Sequence, residues 1–482
     1  MDWRDRRHAT PLGSPVVTSW DLSADVVIVG LGAAGACAAL EAAAAGADTL
    51  VLEAAGAGGG TSAMSGGLLY LGGGTAVQRE CGVEDSVEAM YDFLVAASGP
   101  EPDIEKIRFY CDNSLEHFEW LVDQGVPFKG EFYPEPGLES PNDAGLVFTG
   151  GEDAWPFDQV AQPAPRGHKP QVDGAAGAFL MERLVEAVAG TDVSVEFDIA
   201  VQRLVLDGEA VVGVVARRRG SELAIEARSG VVLCAGGFVN NPEMVQQHVP
   251  EIARCNYPLG SDHDRGTAIG MAQHIGASVK RMSSAEVAVP ITPPRSLVRG
   301  ILVNGQGQRF INEDTYYGRI GQEALFHQDG RMYLVVDEET YEPTIWGTQA
   351  SWVCETVTEL EEEMGLPSGS LESTLELYNR GAVDGKDPIF HKSSEFVRPL
   401  RPPLGAFDFT VENFTYATFT LGGLHTRPTG EVLSVTGDAI PGLYAAGRTT
   451  SGCAAWGYAS GISLGDATLF GRHAGRRAAT RA

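Results

Sequence analysis

The chain has 482 residues, 44% hydrophobic and 21% charged, which is enough material for two domains with substantial cores. Its net charge of −29 is repelled by nucleic acid and by anionic membrane surfaces, which argues against both as partners. Seven cysteines stand without a CxxC pair or a Cys/His cluster, so neither a disulfide framework nor a metal site is expected, and a reducing cytoplasm is the simplest compartment.

Residues 1–23 carry arginines and aspartates but no apolar core, which predicts a flexible leader and neither a signal peptide nor an anchor. No later apolar run reaches transmembrane length, so no integral membrane association is expected. Residues 25–29 (DVVIV) predict a buried strand, and Gly30-x-Gly32-x-x-Gly35 turns it into an alanine-rich helix through Ala33 and Ala34. One glycine makes the tight turn, one lets backbone approach a pyrophosphate, and the third packs helix on strand. A second strand, 49–52, ends on Glu53, where an acid accepts hydrogen bonds from a ribose hydroxyl, with Ala54 beside it. This pattern predicts a dinucleotide site, either FAD or NAD. The next stretch, 56–75, interleaves glycines with hydroxyls (Gly60, Thr61, Ser62, Ser65, Gly66, Gly67) and predicts a loop wrapped around a polar ligand rather than a helix or strand interior.

Amphipathic helices are predicted at 83–96 and 103–123. The Pro-, Gly- and aromatic-rich segment 131–170 is long for a structureless loop, and its Phe132, Tyr133, Phe148, Trp155 and Phe157 suit either a ligand site or a satellite core. A helix at 174–189 precedes strands at 193–197, 201–206 and 211–217, with Asp207-Gly208 as a hairpin turn. A buried strand, 230–238, ends in the double glycine Gly236-Gly237, and 260–277 begins as a polar turn and becomes a helix. From about 276 to 405 the character changes, with strand-like runs at 300–303 and 309–312 and helices at 358–364 and 371–378, which reads as an inserted domain. A strand at 442–446 then ends on Gly447, and a glycine-rich loop leads into a helix at 462–478.

Taken together, VIVGLGAAG with Glu53, GGTSAMSGG, VVLCAGGF, GQRFINED and TLGGL…IPGLYAAGR resemble the FAD-dependent fumarate reductases and 3-ketosteroid dehydrogenases. The resemblance implies an α/β architecture: a Rossmann-like FAD-binding domain of glutathione-reductase type, split into 24–278 and 405–482, with an inserted α+β substrate-capping domain at 279–404. It implies FAD, non-covalent because no histidine stands in the loop matching 61–66. It further implies that Val201, Ala235, Gly236, Gly237, Asn241, Asp264, Gly447, Arg448, Gly461, Ile462, Ser463 and Leu464 join the earlier glycines around the cofactor.

Fumarate enzymes of this family hold dicarboxylates with arginines, one five residues after the asparagine of FxNE and one in N-R-L-G-G. Here the matching residues are Tyr317 and Tyr458. Two tyrosines in place of two cations imply a neutral carbonyl substrate, although Arg319, Arg427 and Arg448 stand near enough in sequence to substitute. Tyr458-Ala459-Ser460 matches the Tyr-x-Ser motif of the 3-ketosteroid Δ4-(5α)-dehydrogenases, whereas the Δ1 enzymes carry a glycine where Ile462 stands. The expected reaction is dehydrogenation of a 3-keto-5α-steroid at C4–C5 by Tyr317, Tyr458 and Ser460, with Tyr316 as the alternative to Tyr317. A Δ1-dehydrogenase and a fumarate or enoate reductase are the competing readings. The implied partners are a steroid substrate and an unidentified electron acceptor.

Overall fold

The computed structural model describes residues 17, 19–135 and 139–480. Strand β1 (Leu22–Val29), helix α1 (Ala33–Ala44) and strand β2 (Thr49–Leu52) form a parallel unit in which Val26 pairs with Thr49 and Val29 with Leu52. Val26, Val27 and Ile28 are fully buried because the sheet is covered on both faces, as parallel sheets require. The order across the main sheet is Glu431–Leu433, Ala439–Ala445, Ser221–Leu233, β1, β2, Ser194–Glu196. A hairpin of Ile199–Asp207 and Ala210–Arg218 joins it through the first half of Ser221–Leu233.

Several expectations need correction. Residues 1–16 and 18 of the expected leader lie outside the described residues, but residues 21–23 belong to the sheet: the Asp21 N–H bonds the Ala224 carbonyl at 2.8 Å and β1 begins at Leu22. The strand expected from Gly230 begins nine residues earlier, its first half alternating between buried and solvated faces. The glycine-rich stretch contains a single helical turn, Gly60–Ala63, and a two-residue strand, Leu69–Tyr70, paired with Gly167–His168. Of the two roles left open for the aromatics of 131–170, packing is the one seen: Phe157 meets Phe93 at 5.3 Å, Trp155 meets His391 at 4.8 Å and Phe132 meets Phe148 at 5.8 Å.

The C-terminal helix, Ile462–Ala479, lies directly on α1. A Cβ built at Gly471 would sit 2.4 Å from the Ala34 carbonyl oxygen, and one at Gly475 would sit 2.1 Å from that of Ala38. The two helices touch backbone to backbone. Gly35 does the same against the preceding turn, where a Cβ would lie 1.9 Å from the Gly30 oxygen.

A second sheet is antiparallel, in the order Ile301–Asn304, Met332–Asp337, Leu404–Asp408, Trp352–Cys354. Helices Val357–Met364 and Ser370–Ala382 cover one face, burying Ile301, Val335, Leu360 and Leu371 together. The chain enters and leaves this region through adjacent antiparallel strands, Ala285–Ala288 and Ala417–Thr420, which set Glu286 opposite Phe419. Residues 309–312 do not form the expected strand beyond one bridge, Val303 to Arg309. Their polar groups are spent on a buried charge cluster instead. Arg309 grips Glu313 with Nε at 3.0 Å and Nη2 at 2.7 Å and reaches Asp387 at 2.8 Å. Lys392 Nζ lies 2.9 Å from Glu313 and donates to the Val298 and Gly300 carbonyls. Burial would raise the Glu313 carboxyl, but Arg309 and Lys392 outweigh it and hold it below its ordinary range.

This cluster anchors the segment leading into Tyr317. Lys392→Met removes one partner of a buried charge, and a loss of about 3–5 kcal/mol in urea-unfolding stability is expected. Because the Glu313 pKa is depressed in the fold, its stabilisation is present above the ordinary carboxylate pKa and is lost as pH falls through the lowered value. An acid titration of unfolding should therefore show a shallower stability loss in Lys392→Met than in the wild type.

Candidate active site

One elongated cavity of about 530 Å³ runs between the two regions. At its deep end Glu53 is fixed by two backbone donors, the Leu31 N–H at 2.7 Å and the Ala55 N–H at 2.8 Å. It thereby pins the glycine turn, and each carboxylate oxygen keeps a second lone pair for a ribose hydroxyl. Gly30, Gly32, Ala33, Ala34 and Ala54 line the wall beside it, with Val201 from the hairpin opposite.

Helix α1 starts at Gly32, and the C-terminal helix starts at Gly461 with φ +95°; neither has a side-chain cap. Their first-turn N–H groups therefore seek outside acceptors, and both starts border this cavity. The Ala33 N–H finds Ser62 Oγ at 3.2 Å. Gly60, Thr61, Ser62, Ser65, Gly66 and Gly67 bring the second loop alongside, and Ala235, Gly236, Gly447, Ser463 and Leu464 close the wall. Two uncapped helix starts and an acid at one end suit a pyrophosphate and ribose, so the residues present fit a flavin dinucleotide.

Asp264 ties these parts together. It accepts from the Gly237 N–H at 2.8 Å and from Arg448 Nη2 at 2.7 Å, and it takes the Thr61 hydroxyl as a further donor. Four expected cofactor residues, Asn241, Gly237, Ile462 and Gly35, do not line the cavity. Asn241 caps the helix Pro242–His248, accepting from the Met244 N–H at 3.1 Å and donating to the Arg265 carbonyl. Gly237 serves Asp264, and Ile462 is buried in the core. Gly35, expected to pack helix on strand, does so off the cavity wall.

At the other end the structure brings together Tyr316, Tyr317, Tyr458 and Ser460, with Ala288, Pro290 and Phe419. Tyr317 and Tyr458 are partly exposed, whereas Tyr316 is buried. The Tyr316 and Tyr317 rings lie 4.5 Å apart, and Tyr458 sits 5.4 Å edge-on to Phe419. Burial and the Glu139 charge push the Tyr317 phenol above its ordinary pKa, partly offset by contacts with Ser460 and Tyr316. Burial pushes Tyr458 up to about 12, countered first by its contact with Ser463. Its Oη accepts the Ser463 N–H at 3.3 Å.

Sequence reasoning missed two groups here. Thr149 clamps Ser460, accepting its N–H at 3.2 Å and donating to its carbonyl at 2.9 Å, and Glu152 in turn binds the N–H groups of Thr149 and Gly150. Glu286, 1% exposed, accepts the Tyr316 hydroxyl at 2.9 Å. Its one sequence signal is an acid set in the apolar run Ala285-Glu286-Val287-Ala288. Among the described residues that line the cavity, Arg448 is the single lysine or arginine, and Asp264 neutralises it. Arg319 stacks on Phe157 and bonds Thr315 away from the cavity, and Arg427 does not reach it.

Among known proteins, the chain resembles the crystal structure of 3-ketosteroid-delta4-(5alpha)-dehydrogenase from Rhodococcus jostii RHA1 in complex with 4-androstene-3,17-dione. The two are 50% identical with a TM-score of 0.92, over 96% of this chain and 98% of that one. The 3-oxo-5-alpha-steroid 4-dehydrogenase of Comamonas testosteroni is 26% identical over 514 residues, covering 90% of this chain and 94% of that protein. The NADH:fumarate oxidoreductase of Klebsiella pneumoniae (strain 342) is 28% identical over 480 residues, covering 95% of this chain but 48% of that protein, so the chain spans about half of that relative's length. Residues 25–464 match the FAD binding domain family along almost the whole described chain. The chain belongs to the FAD binding domain family, and FAD is its cofactor.

Proposed function

We propose that the protein holds FAD non-covalently and dehydrogenates 3-keto-5α-steroids at the C4–C5 bond. The observation that carries this reading is the tyrosine-lined end of the cavity, which lacks any uncommitted cation. A dicarboxylate needs guanidinium forks to offset its desolvation. Phenols, a serine, Ala288, Pro290 and Phe419 instead suit an apolar skeleton bearing one carbonyl. The 50% identity to the Rhodococcus 3-ketosteroid enzyme supports the same substrate class. Ile462, at the position where the Δ1 enzymes carry glycine, is buried off the cavity and lends that alternative no support. The seven free thiols fit a reducing, cytoplasmic setting. Among the described residues no helix is long and apolar enough to cross a membrane.

Bound FAD supplies the acceptor for the hydride. The residues of this chain divide the remaining work. Tyr458, whose Oη accepts the Ser463 N–H, donates its phenolic proton to the 3-keto oxygen, where charge develops as C4 is deprotonated. Tyr317, partly open and touching Ser460, takes the C4 proton. Tyr316 cannot hold the carbonyl, because its one proton is given to Glu286.

Anaerobic mixing of the yellow holoprotein with 5α-androstane-3,17-dione should bleach the flavin rapidly, whereas 4-androstene-3,17-dione, the ligand of the Rhodococcus neighbour, and succinate should not. Bleaching by succinate alone refutes the proposal. Tyr317→Phe, Tyr458→Phe and Ser460→Ala should each slow flavin reduction by about 10²-fold or more while leaving the bound-flavin spectrum intact. Normal turnover in any one of them removes that residue from the set.

A further inference from the structure

We propose that Glu286 receives the substrate proton at the end of a hydroxyl relay running from Ser460 and Tyr317 through Tyr316. The proposal rests on the dehydrogenase reading above. Glu286 lies on Ala285–Ala288 and borders the cavity, yet its Oε2 is buried without a hydrogen-bond partner. An unsatisfied carboxylate oxygen of this kind is costly. The strand does not need it: the backbone of Glu286 pairs with Phe419, and its carbonyl takes the Thr418 hydroxyl at 2.7 Å. Any side chain of similar size would serve that packing.

Counting protons gives the chain a direction. Each hydroxyl has one proton to donate. Tyr316 gives its proton to Glu286 Oε1 at 2.9 Å, so a proton passing between the adjacent Tyr316 and Tyr317 phenols must come from Tyr317, and Ser460 borders the same end of the cavity. The Tyr316–Glu286 link therefore points from the cavity side toward the carboxylate. The titratable groups facing Glu286 are Tyr316 and Tyr317, where the helix Tyr317–Gln322 begins, and Tyr458 from the C-terminal segment. The strand opposite, Ala417–Thr420, brings no charge.

In the step, the C4–H bond breaks and its electron pair becomes the C4–C5 π bond, while the C5 hydrogen leaves with its own pair to the bound flavin. The C4 proton bonds to Tyr317 Oη, the proton of Tyr317 passes to Tyr316, and that of Tyr316 passes to Glu286 Oε1. The carboxylate becomes a neutral acid, and the two electrons the steroid loses are those that FAD, when bound, would accept. Burial pushes the Glu286 carboxyl up to about 8, with Tyr316 pulling it back down in part. Below that pH the acceptor is already filled, and above it the acceptor is free.

The test is anaerobic stopped-flow reduction of the holoenzyme by 5α-androstane-3,17-dione on both sides of pH 8, with difference infrared spectra recorded in parallel. The wild-type rate should rise through about pH 8 and then level off, and above it mixing should convert a carboxylate band into a carboxyl band. Glu286→Gln should reduce about 10²-fold more slowly, without the pH limb and without the infrared conversion. Glu286→Asp should restore both at a displaced pH. Tyr316→Phe breaks the chain at its middle and should also lose both, which decides the matter if Glu286→Gln fails to retain flavin. A wild-type rate and pH limb in Glu286→Gln or in Tyr316→Phe overturns the relay alone. Failure of the steroid to reduce wild-type flavin overturns the dehydrogenase reading and the relay with it.

Discussion

The backbone contact between α1 and the C-terminal helix is the constraint on which the site depends. Gly471 and Gly475 allow the two helices to meet at the carbonyls of Ala34 and Ala38, a distance that a methyl group would prevent. Because they meet so closely, their uncapped starts border the same cavity. The start of α1 borders it beside Glu53. The other sends the Ser463 N–H to Tyr458. A single packing contact thus sets the spacing between the Glu53 end of the cavity and the Tyr458 phenol.

Charge is distributed unevenly along that cavity. Asp264, Arg448 and Thr61 form a closed polar knot that joins three loops and leaves the guanidinium committed. The tyrosine end has no such cation. A carboxylate ligand there would meet phenols and the buried acid Glu286, and it would lose its hydration without an opposite charge in return. A neutral carbonyl loses far less hydration there. The same arrangement therefore disfavours a dicarboxylate such as the fumarate for which the Klebsiella relative is named.

Legibility followed sequence distance. The β1–α1–β2 unit, Glu53 and the hydroxyl-rich loop were readable because each depends on neighbours a few residues away. Tyr317, Tyr458 and Ser460 were readable only within the frame of a resemblance, since nothing local distinguishes a cavity-lining tyrosine from a packed one. Glu286 was not readable: its meaning comes from Tyr316, thirty residues on, and from a strand pairing with Phe419. Residues 309–312 misled for the opposite reason. Their apolar pattern resembles a strand, but Arg309 and Asn312 spend their polar groups on Glu313, Asp387 and Asp314. Asn241 was placed on the cofactor although Asn-Pro-Glu is an ordinary helix-start pattern, and the helix claimed it.

The pairing of α1 with the C-terminal helix also bears on how the chain acquires its shape. Arg472 bonds Glu41 across 431 residues of sequence, and β1 pairs with a strand that begins at Ser221. Contacts this remote in sequence close slowly, because long loops must be ordered before any of them is rewarded. During synthesis the glycine turn lacks its helical partner until the residues from 462 onward have emerged. A pocket assembled so late leaves the apolar faces of α1 and β1 uncovered in the interim, and a cofactor that binds the finished pocket stabilises it by mass action.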